Sequence, residues 1–438
     1  MLINIRKHFG SGMRQDVVWT FSLQILIMLC SFAINKLLAN RLSIEDFGQY
    51  NVIKRSVQVL SFVMLAGVGI ALPRYIPLYH NDTPPRRIAP LLVASLIYII
   101  GISLVVFMGC MLLSSQMQAI IIGQQDNFSL LLVAIVYAFI LALAQYVFAY
   151  YRGKGNFKWY NGTQLVMQLS IIIPLVILPV LTVSNVFVSW LLITILLVVY
   201  LLGREICNYY RRGGSFTQES PLKPHLITII KYSSGRLIAD FFQFSLAAFP
   251  LIYISHFQGL QTTAYFSVGI FFVTMITPIF SFMGIILLPY ISKAIARHEM
   301  AEANRLVLRL SMLYVGASIV IIAVLYIFTE VFTILLFSNN YVVTARLTRI
   351  MIISILPQAA YMLYRNTIDA ISVVPYNAFI LGICLVSMVI SFAFSSTLTH
   401  YALAYLAISV LQGFLSWLTW TILRKKHIKS SKTTTICE

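Results

Sequence analysis

Long apolar stretches dominate this sequence and constrain its fold more than any other feature. A helix needs about 20 apolar residues to cross the hydrocarbon core of a bilayer. Hydrophobic residues make up 60% of the chain and charged residues 10%, whereas roughly a quarter of a soluble protein is charged. The sequence therefore predicts an all-α membrane protein with about twelve transmembrane helices. The predicted spans are 17–39, 50–72, 89–113, 128–150, 161–182, 184–204, 232–255, 264–289, 305–327, 345–367, 374–397 and 399–423.

The distribution of lysine and arginine predicts the orientation of these spans. If the N-terminus lies in the cytosol, 24 of the 31 lysines and arginines fall in cytosolic segments, and the outer loops hold only Arg41. Positive residues collect in cytoplasmic loops, so both termini are expected to be cytosolic. This topology accounts for the net charge of +18 without a nucleic-acid partner. The outer loops are too short to house a catalytic domain.

The two halves of the chain resemble each other. A shift of 216 residues aligns 39–77 with 255–293 without a gap, and Leu72-Pro73 then falls on Leu288-Pro289. Halves with the same orientation predict parallel repeats with a substrate site between them. Gly-Gly, prolines and charges in the segment midway along the chain are typical of a linker. The predicted domains are an N-terminal six-helix bundle (1–206), a cytosolic linker (207–231), a C-terminal six-helix bundle (232–423) and a basic cytosolic tail (424–438), with the two pseudo-symmetric bundles around a central cavity.

Polar side chains recur at helical spacing within several predicted spans. Polar side chains that face the hydrocarbon of a bilayer are energetically costly, so these stripes are expected to face the interior of the bundle or a water-filled cavity. The candidate residues for a polar cavity lining are Gln24, Asn35, Gln58, Gln164 and Gln243.

The ionisable residues in or near the spans are mostly basic, and a cationic interior favours an anionic ligand such as phosphate. For those near the outer ends of spans, the alternative is that the side chain reaches the lipid headgroups. Asp240, four residues after Arg236, is either a coupling site for a proton or cation, or one half of a structural ion pair. The candidate substrate-binding residues are Lys36, Lys54, Arg55, Arg236, Arg346 and Arg349.

Several kinds of functional site have no signature in the sequence. There is no P-loop and no zinc motif, and the five cysteines lie far apart, without the spacing of a metal site or a disulfide framework. The sequence predicts no cofactor, no metal site and no enzymatic activity. The adjacent Glu45 and Asp46 are interpreted as a helix start within LSIEDFG, and Arg152–Gly155 as a loop.

Two segments carry a resemblance to a known family. The LSIEDFGQY turn after the first span and the YYRGKGNFKWYNG loop between the fourth and fifth spans resemble those of Wzx-type flippases for O-antigen and other polysaccharides. These proteins belong to the multidrug/oligosaccharidyl-lipid/polysaccharide exporter superfamily. The twelve spans and two six-span halves are similar as well, so the resemblance covers nearly the whole chain.

The resemblance implies a function and a site. It implies movement of undecaprenyl-diphosphate-linked oligosaccharide repeat units from the cytosolic to the outer leaflet of the bacterial inner membrane, by alternating access, for surface polysaccharide assembly. Related lipid II flippases have cavity arginines on spans 1, 2 and 8. Arg55 matches on span 2 and Lys36 loosely on span 1. Span 8 has no cation in this sequence, and Arg236 on span 7 is the candidate substitute.

The implied partners are the polyprenyl-diphosphate-linked glycan, the lipid bilayer and, as further candidates, a polysaccharide polymerase and a chain-length regulator. A proton or sodium gradient is the candidate driving force. One alternative is a cation-coupled multidrug exporter of the same superfamily, which needs buried acids. Another is a polysaccharide polymerase, which needs a long catalytic outer loop. The basic interior and the short outer loops argue against these two alternatives.

Overall fold

The computed structural model describes residues 11–81, 88–123, 127–211, 221–296, 300–372 and 374–436. These residues form helices joined by short turns, and no strand occurs among them. Eleven described helices are long and apolar enough to cross a membrane, and one bent helix pair makes a twelfth. The prediction of an all-α membrane protein with about twelve spans is confirmed.

The chain divides into two compact units, Met1–Phe244 and Ser245–Glu438. The boundary falls inside one long helix, α9. The described helices of the first unit, with α9 as the last, are α1 Ser11–Arg41, α2 Ile44–Leu65, α3 Val68–Asn81, α4 Ala89–Leu112, α5 Ser114–Ile121, α6 Phe128–Gly153, α7 Phe157–Ile177, α8 Val183–Arg211 and α9 Leu222–Gln258.

Helix α6 is the centre of the first unit. Helices α2, α3 and α8 all pack against it, and α1 packs along α7. Small and aromatic residues allow this close contact, since Ala134, Ala138 and Ala142 of α6 are almost completely buried. Small residues let transmembrane helices approach closely where there is no hydrophobic driving force between them.

Helix α14 has the corresponding place in the second unit. It packs against α10, α11 and α16, and α15 packs against α16. A glycine allows close approach in this unit, because a Cβ added to Gly413 of α16 would lie 2.7 Å from the carbonyl oxygen of Pro357. The described helices are α10 Leu260–Ala296, α11 Met300–Ile327, α12 Thr329–Leu336, α13 Ala345–Ile352, α14 Ile355–Ile371, α15 Tyr376–Ala393 and α16 Leu398–Ile436, with a 3-10 turn at Asn339–Thr344 before α13.

Two spans that the sequence predicts as single helices are broken. Span 2 consists of α2 and α3, and the chain between them turns through left-handed conformations at Ala66 (φ 51°) and Gly67 (φ 74°). Span 10 consists of the 3-10 turn with α13, followed by α14 at a bend of 42°. Both regions are confirmed as candidate membrane spans, Ile44–Tyr79 as one stretch and Asn339–Ile352 with Ile355–Asp369 as a bent pair. The apolar composition of 50–72 and 345–367 does not reveal the interruptions within them.

The segments predicted to be loops contain more helix than expected. The outer segment TEVFTILLFSNN includes α12, and the predicted tail 424–438 continues α16 as far as Ile436. The predicted linker 207–231 is helical up to Arg211 and again from Leu222, and residues 212–220 lie outside the described residues. The unit boundary at Phe244 lies beyond this linker, because the first part of α9 clusters with the first unit.

Candidate functional site

Helix α2, which carries the first candidate cations, begins at a well-formed cap. The Ser43 hydroxyl accepts a hydrogen bond from the Asp46 backbone N–H at 3.1 Å, and Glu45 and Asp46 occupy the first turn. Both features stabilise a helix N-terminus, where free N–H groups carry partial positive charge. The interpretation of Glu45 and Asp46 as a helix start is confirmed.

Tyr50 fixes the rotation of α2 about its own axis. Its side chain is fully buried, and its ring centroid lies 6.0 Å from that of Phe187 and 5.8 Å from that of Trp190, both on α8. Aromatic rings at this separation add specific edge and offset contacts to the burial of apolar area. One face of α2 is therefore held against α8, and this contact sets the direction of the neighbouring side chains.

Lys54 and Arg55 follow Tyr50 by about one turn, and both are half-buried. Lys54 Nζ lies 5.4 Å from the centroid of the Tyr50 ring, within cation–π range. Arg55 Nη1 donates to Gln58 Oε1 at 3.3 Å. Among the residues that the structure describes, Lys54 makes no ion pair. The ammonium group of Lys54 thus lies inside a membrane span next to a ring that does not neutralise it.

Two other polar residues of this stripe are bonded to their own helix. Asn51 Nδ2 donates to the Phe47 carbonyl at 2.8 Å, and the Ser61 hydroxyl donates to the Gln58 carbonyl at 2.8 Å. Such bonds satisfy polar side chains inside a helix without a partner from outside. The stronger candidates for contact with a ligand on α2 are therefore the side chains of Lys54, Arg55 and Gln58.

A second polar group connects α1 to α7. Asn161, fully buried, donates to the Thr20 hydroxyl at 2.9 Å, and Gln24 Nε2 lies 3.5 Å from Asn161 Oδ1 and 3.4 Å from Gln164 Oε1. Side-chain hydrogen bonds between transmembrane helices favour their association. Gln24 and Gln164, which the sequence assigns to a cavity lining, are therefore brought together as one interhelical network.

Other candidates of the first unit have more varied surroundings. Lys36 is exposed near the end of α1, while Asn35 is buried and donates to the Ser31 carbonyl at 2.7 Å. Asp240 and Gln243 are half-buried on α9. The side chain of Arg236 lies outside the described residues, so its predicted pairing with Asp240 stays a prediction.

Arg346 and Arg349 lie on α13 of the second unit. Arg346 is exposed, whereas Arg349 Nη2 forms an ion pair with Glu330 Oε1 at 3.1 Å, and its Nε donates to the Tyr326 carbonyl at 3.3 Å. Glu330 belongs to α12, the helix that the sequence predicts as an outer loop. The charge of Arg349 is therefore matched within its own unit, in contrast to that of Lys54.

This ion pair gives a prediction that separates structure from substrate binding. We expect Arg349→Gln and Glu330→Gln to cost less than about 1 kcal/mol each, because half-exposed pairs contribute little, and both variants should retain transport. Thermal unfolding of the purified protein and a transport assay check this. Loss of transport in Arg349→Gln alone, with Glu330→Gln unaffected, would identify Arg349 as a substrate ligand and contradict the expectation.

Glu205 on α8 is the centre of a polar cluster that the sequence does not reveal. Its Oε2 accepts from the Tyr150 hydroxyl at 2.9 Å and its Oε1 from the Tyr151 hydroxyl at 3.1 Å. Lys154 Nζ lies 3.7 Å from Oε2 and also contacts the Tyr150 hydroxyl. The guanidinium of Arg204 lies over the Trp159 ring at 3.5 Å. The YYRGKGNFKWYNG segment therefore holds the ends of α6, α7 and α8 together.

We expect Glu205→Ala to lower the free energy of unfolding by about 2–4 kcal/mol, since two hydrogen bonds to a charged acceptor are lost at about 1.5–3 kcal/mol each, with some compensation by water. Glu205→Gln is the matched control, because its amide oxygen still accepts from one tyrosine and it should cost less. Chemical unfolding in detergent measures both. Equal stability of Glu205→Ala and the unmodified protein would contradict this account of the cluster.

Arg41, the one basic residue predicted in an outer loop, has a structural role. Its guanidinium donates to the carbonyls of Leu175 (2.6 Å), Leu178 (2.6 Å) and Pro179 (3.0 Å). In a helix the Leu175 carbonyl would accept from residue 179, but that residue is proline and has no N–H. Arg41 supplies the missing donor and places positive charge at the C-terminus of α7, where the helix dipole favours it.

The described residues contain no group of three or more histidine, cysteine, aspartate or glutamate side chains placed to hold a metal ion. Four of the cysteines, Cys30, Cys110, Cys207 and Cys384, are free thiols.

Comparison with known structures identifies the fold. An inward-facing multidrug resistance transporter of the MATE family and the MOP superfamily aligns with a TM-score of 0.73 and 12% identity, covering 95% of this chain and 99% of that chain. The lipid II flippase MurJ in an inward closed conformation aligns with a TM-score of 0.68 and 13% identity, covering 97% of this chain and 93% of that chain. A third similar structure is a MOP-superfamily transporter from Pyrococcus furiosus, described as having a binding pocket of reversed polarity. It aligns with a TM-score of 0.60 and 14% identity, covering 94% of each chain.

Sequence comparison identifies the family. No curated protein matches the chain. The profile of the family described as polysaccharide biosynthesis protein matches residues 13–295, which is more than half of the 438 residues. The resemblance to polysaccharide flippases is thus supported by a family match as well as by a shared transporter fold. The chain is a member of the polysaccharide biosynthesis protein family with the fold of MOP-superfamily transporters.

Proposed function

We propose that this protein moves undecaprenyl-diphosphate-linked oligosaccharide repeat units from the cytosolic to the outer leaflet of a bacterial inner membrane, by alternating access. One observation carries the proposal. Lys54 and Arg55 lie next to each other, half-buried in span 2, and within the described part of the chain Lys54 makes no ion pair. A charge inside a span is costly and is a functional site by default.

A diphosphate is the ligand chemistry that suits this pair. Guanidinium groups bind phosphate oxygens through paired hydrogen bonds, and an ammonium group adds a compact charge. The amide of Gln58, held by Arg55 at 3.3 Å, is an additional group able to hydrogen-bond a phosphate or a sugar hydroxyl. In this proposal the polyprenyl tail stays in lipid, while the diphosphate and the sugars follow the polar groups of the protein.

The main rival is a multidrug exporter, because a MATE-family transporter has the same fold at a TM-score of 0.73. A carrier of organic cations needs acidic groups that favour a bound positive charge. The carboxylate of Glu205 accepts hydrogen bonds from two tyrosines and pairs with Lys154. The carboxylate of Glu330 pairs with Arg349. Asp240 is the single acid among the candidate site residues, and its charge is outweighed by those of Lys54 and Arg55. This balance favours an anionic substrate.

Asp240 is the candidate for coupling to a proton or sodium gradient. It is a half-buried carboxylate on α9, the helix that passes from the first unit into the second. An ionisable group within a span is suited to bind and release a cation during a transport cycle. In this scheme Asp240→Asn retains binding of the lipid-linked glycan but makes transport independent of the gradient.

The proposed topology places both termini in the cytosol, and the delivered repeat units would be consumed by a polysaccharide polymerase with its chain-length regulator. The decisive experiment uses a strain that lacks its own flippase. Expression of this protein should restore surface glycan and clear the accumulated lipid-linked repeat units. Restored drug resistance without restored glycan would instead support the multidrug exporter.

A further inference from the structure

A proline in the second half of span 2 leaves one backbone carbonyl without its usual partner. In a regular helix the carbonyl of Gly69 accepts from the N–H of residue 73. That residue is Pro73, within α3, and proline has no N–H to donate. Such a carbonyl needs a donor from outside its own helix, either a side chain or water.

Arg152 supplies that donor. Its Nη2 lies 2.6 Å from the Gly69 carbonyl oxygen, a short charge-assisted hydrogen bond. Arg152 belongs to the last turn of α6, in the RGKG turn that the sequence predicts only as a loop. The bond therefore connects span 4 to span 2 two residues after the left-handed residues Ala66 and Gly67.

The neighbouring glycine makes this contact possible. A Cβ added to Gly153 would lie 2.7 Å from Ile76 Cδ1 and 3.0 Å from the Leu72 carbonyl oxygen. The absence of a side chain at residue 153 therefore lets α6 end directly against α3 without displacing Ile76 or Leu72. Leu72 and Ile76 are almost completely buried in this contact. The Arg-Gly pair thus combines a hydrogen bond with close packing at one point of span 2.

The same chemistry occurs at the other end of the unit, where Arg41 donates to Leu175, whose usual partner position is Pro179. The bond from Arg41 stabilises the C-terminal end of α7. The bond from Arg152 is made to Gly69 of span 2, the span that also carries Lys54 and Arg55. Because Tyr50 holds α2 against α8, a change in the second half of span 2 would move α3 relative to these two cations.

We propose that Arg152 is a positioning residue for transport: it replaces the hydrogen bond that Pro73 withholds from Gly69, and so holds α3 in place relative to Lys54 and Arg55 on α2. The loss of Arg152 removes this link between α6 and α3, and α3 is then free to move relative to α2. The effect on transport rests on the proposed function, whereas the effect on the geometry of span 2 does not.

The test uses the full-length protein and a rescue that only this mechanism predicts. Pro73→Ala restores the N–H at position 73, so it should compensate for Arg152→Ala. Spin labels on cysteines at the exposed positions Glu45 and Leu78, in a background without the five native cysteines, report the end-to-end distance of span 2 by pulsed electron resonance. Surface glycan in a flippase-null strain is the second readout.

We expect Arg152→Ala to shift or broaden the label distance and to lower glycan export roughly tenfold, about the value of one charged hydrogen bond. The double variant Arg152→Ala/Pro73→Ala should recover both. Arg41→Ala is the matched control: it removes an arginine bonded to another orphaned carbonyl, should leave the span 2 distance unchanged, and should not be rescued by Pro73→Ala.

Two outcomes overturn the proposal. One is an unchanged label distance in Arg152→Ala. The other is a double variant that behaves like Arg152→Ala alone. If Arg152→Ala does not accumulate in the membrane, the double variant decides, because recovery of its membrane level supports the proposal and continued loss contradicts it. A restored distance without glycan export in any variant would leave the positioning role intact and count against the flippase function instead.

Discussion

Replacing both Lys54 and Arg55 with alanine is expected to reduce glycan export roughly 100-fold. Each residue is assigned a charge-assisted contact to the diphosphate worth about 1.5 kcal/mol or more, so the pair contributes about 3 kcal/mol. The fold should survive, because Tyr50 and the buried face of α2 hold this helix against α8. The measurement is surface glycan in a flippase-null strain, normalised to membrane protein level.

Two controls separate a binding site from a simple loss of charge. The double variant Lys158→Ala/Arg211→Ala removes the same charge from two exposed positions of the first unit and should export normally. The exchange Lys54→Arg/Arg55→Lys keeps the charge and should retain most activity. Normal export by the double alanine variant would show that these cations only anchor span 2 among the headgroups, the alternative that the sequence leaves open.

Gly67→Ala is expected to destabilise the protein by about 2–5 kcal/mol. Gly67 has φ +74°, a conformation that costs a residue with a Cβ about 1–2 kcal/mol. An added Cβ would also lie 2.8 Å from the carbonyl oxygen of Ser233 in α9, and overpacking of this kind costs about 1–3 kcal/mol. Thermal unfolding in detergent and the level of membrane protein measure the effect.

Gly101→Ala is the control with the opposite expected sign. Gly101 is an exposed position in the interior of α4, where an added Cβ meets nothing within 4 Å. Alanine there should stabilise the helix by up to about 1 kcal/mol. If Gly67→Ala were as stable as the unmodified protein, the break would not need a glycine, and the left-handed turn at residue 67 would not explain the two-part span 2.

The sequence predicts the all-α membrane class and the number of spans well, because each span requires a long run of apolar residues that is visible in the sequence. It misses the breaks. Gly67 and Pro73 resemble other small or apolar residues in a hydropathy pattern, and the sequence does not reveal their surroundings, the backbone of Ser233 next to Gly67 and the bond of Arg152 to the Gly69 carbonyl. In the proposed internal repeat the position of Gly67 corresponds to Met283, within the uninterrupted helix α10.

The candidate site is predicted in part. The positions of Lys54 and Arg55 follow from helical spacing, and the structure adds the contacts with Tyr50 and Gln58. The ion pair of Arg349 with Glu330 does not follow from the sequence, because the segment of α12 resembles a loop there. The Glu205 cluster joins the end of α8 to tyrosines at the end of α6, 55 and 54 residues earlier in the chain. Long-range pairing of this kind has no local signal.

The most direct test of the central claim is transport by the purified protein in proteoliposomes. Vesicles contain a polyprenyl-diphosphate-linked oligosaccharide with a fluorescent sugar, and an impermeant quencher reports which leaflet holds it. We predict protein-dependent movement of the labelled lipid between leaflets, strongly reduced in Lys54→Ala/Arg55→Ala and unchanged in Lys158→Ala/Arg211→Ala. Equal movement by all of these variants, or none by the unmodified protein with export of a cationic drug instead, would contradict the account.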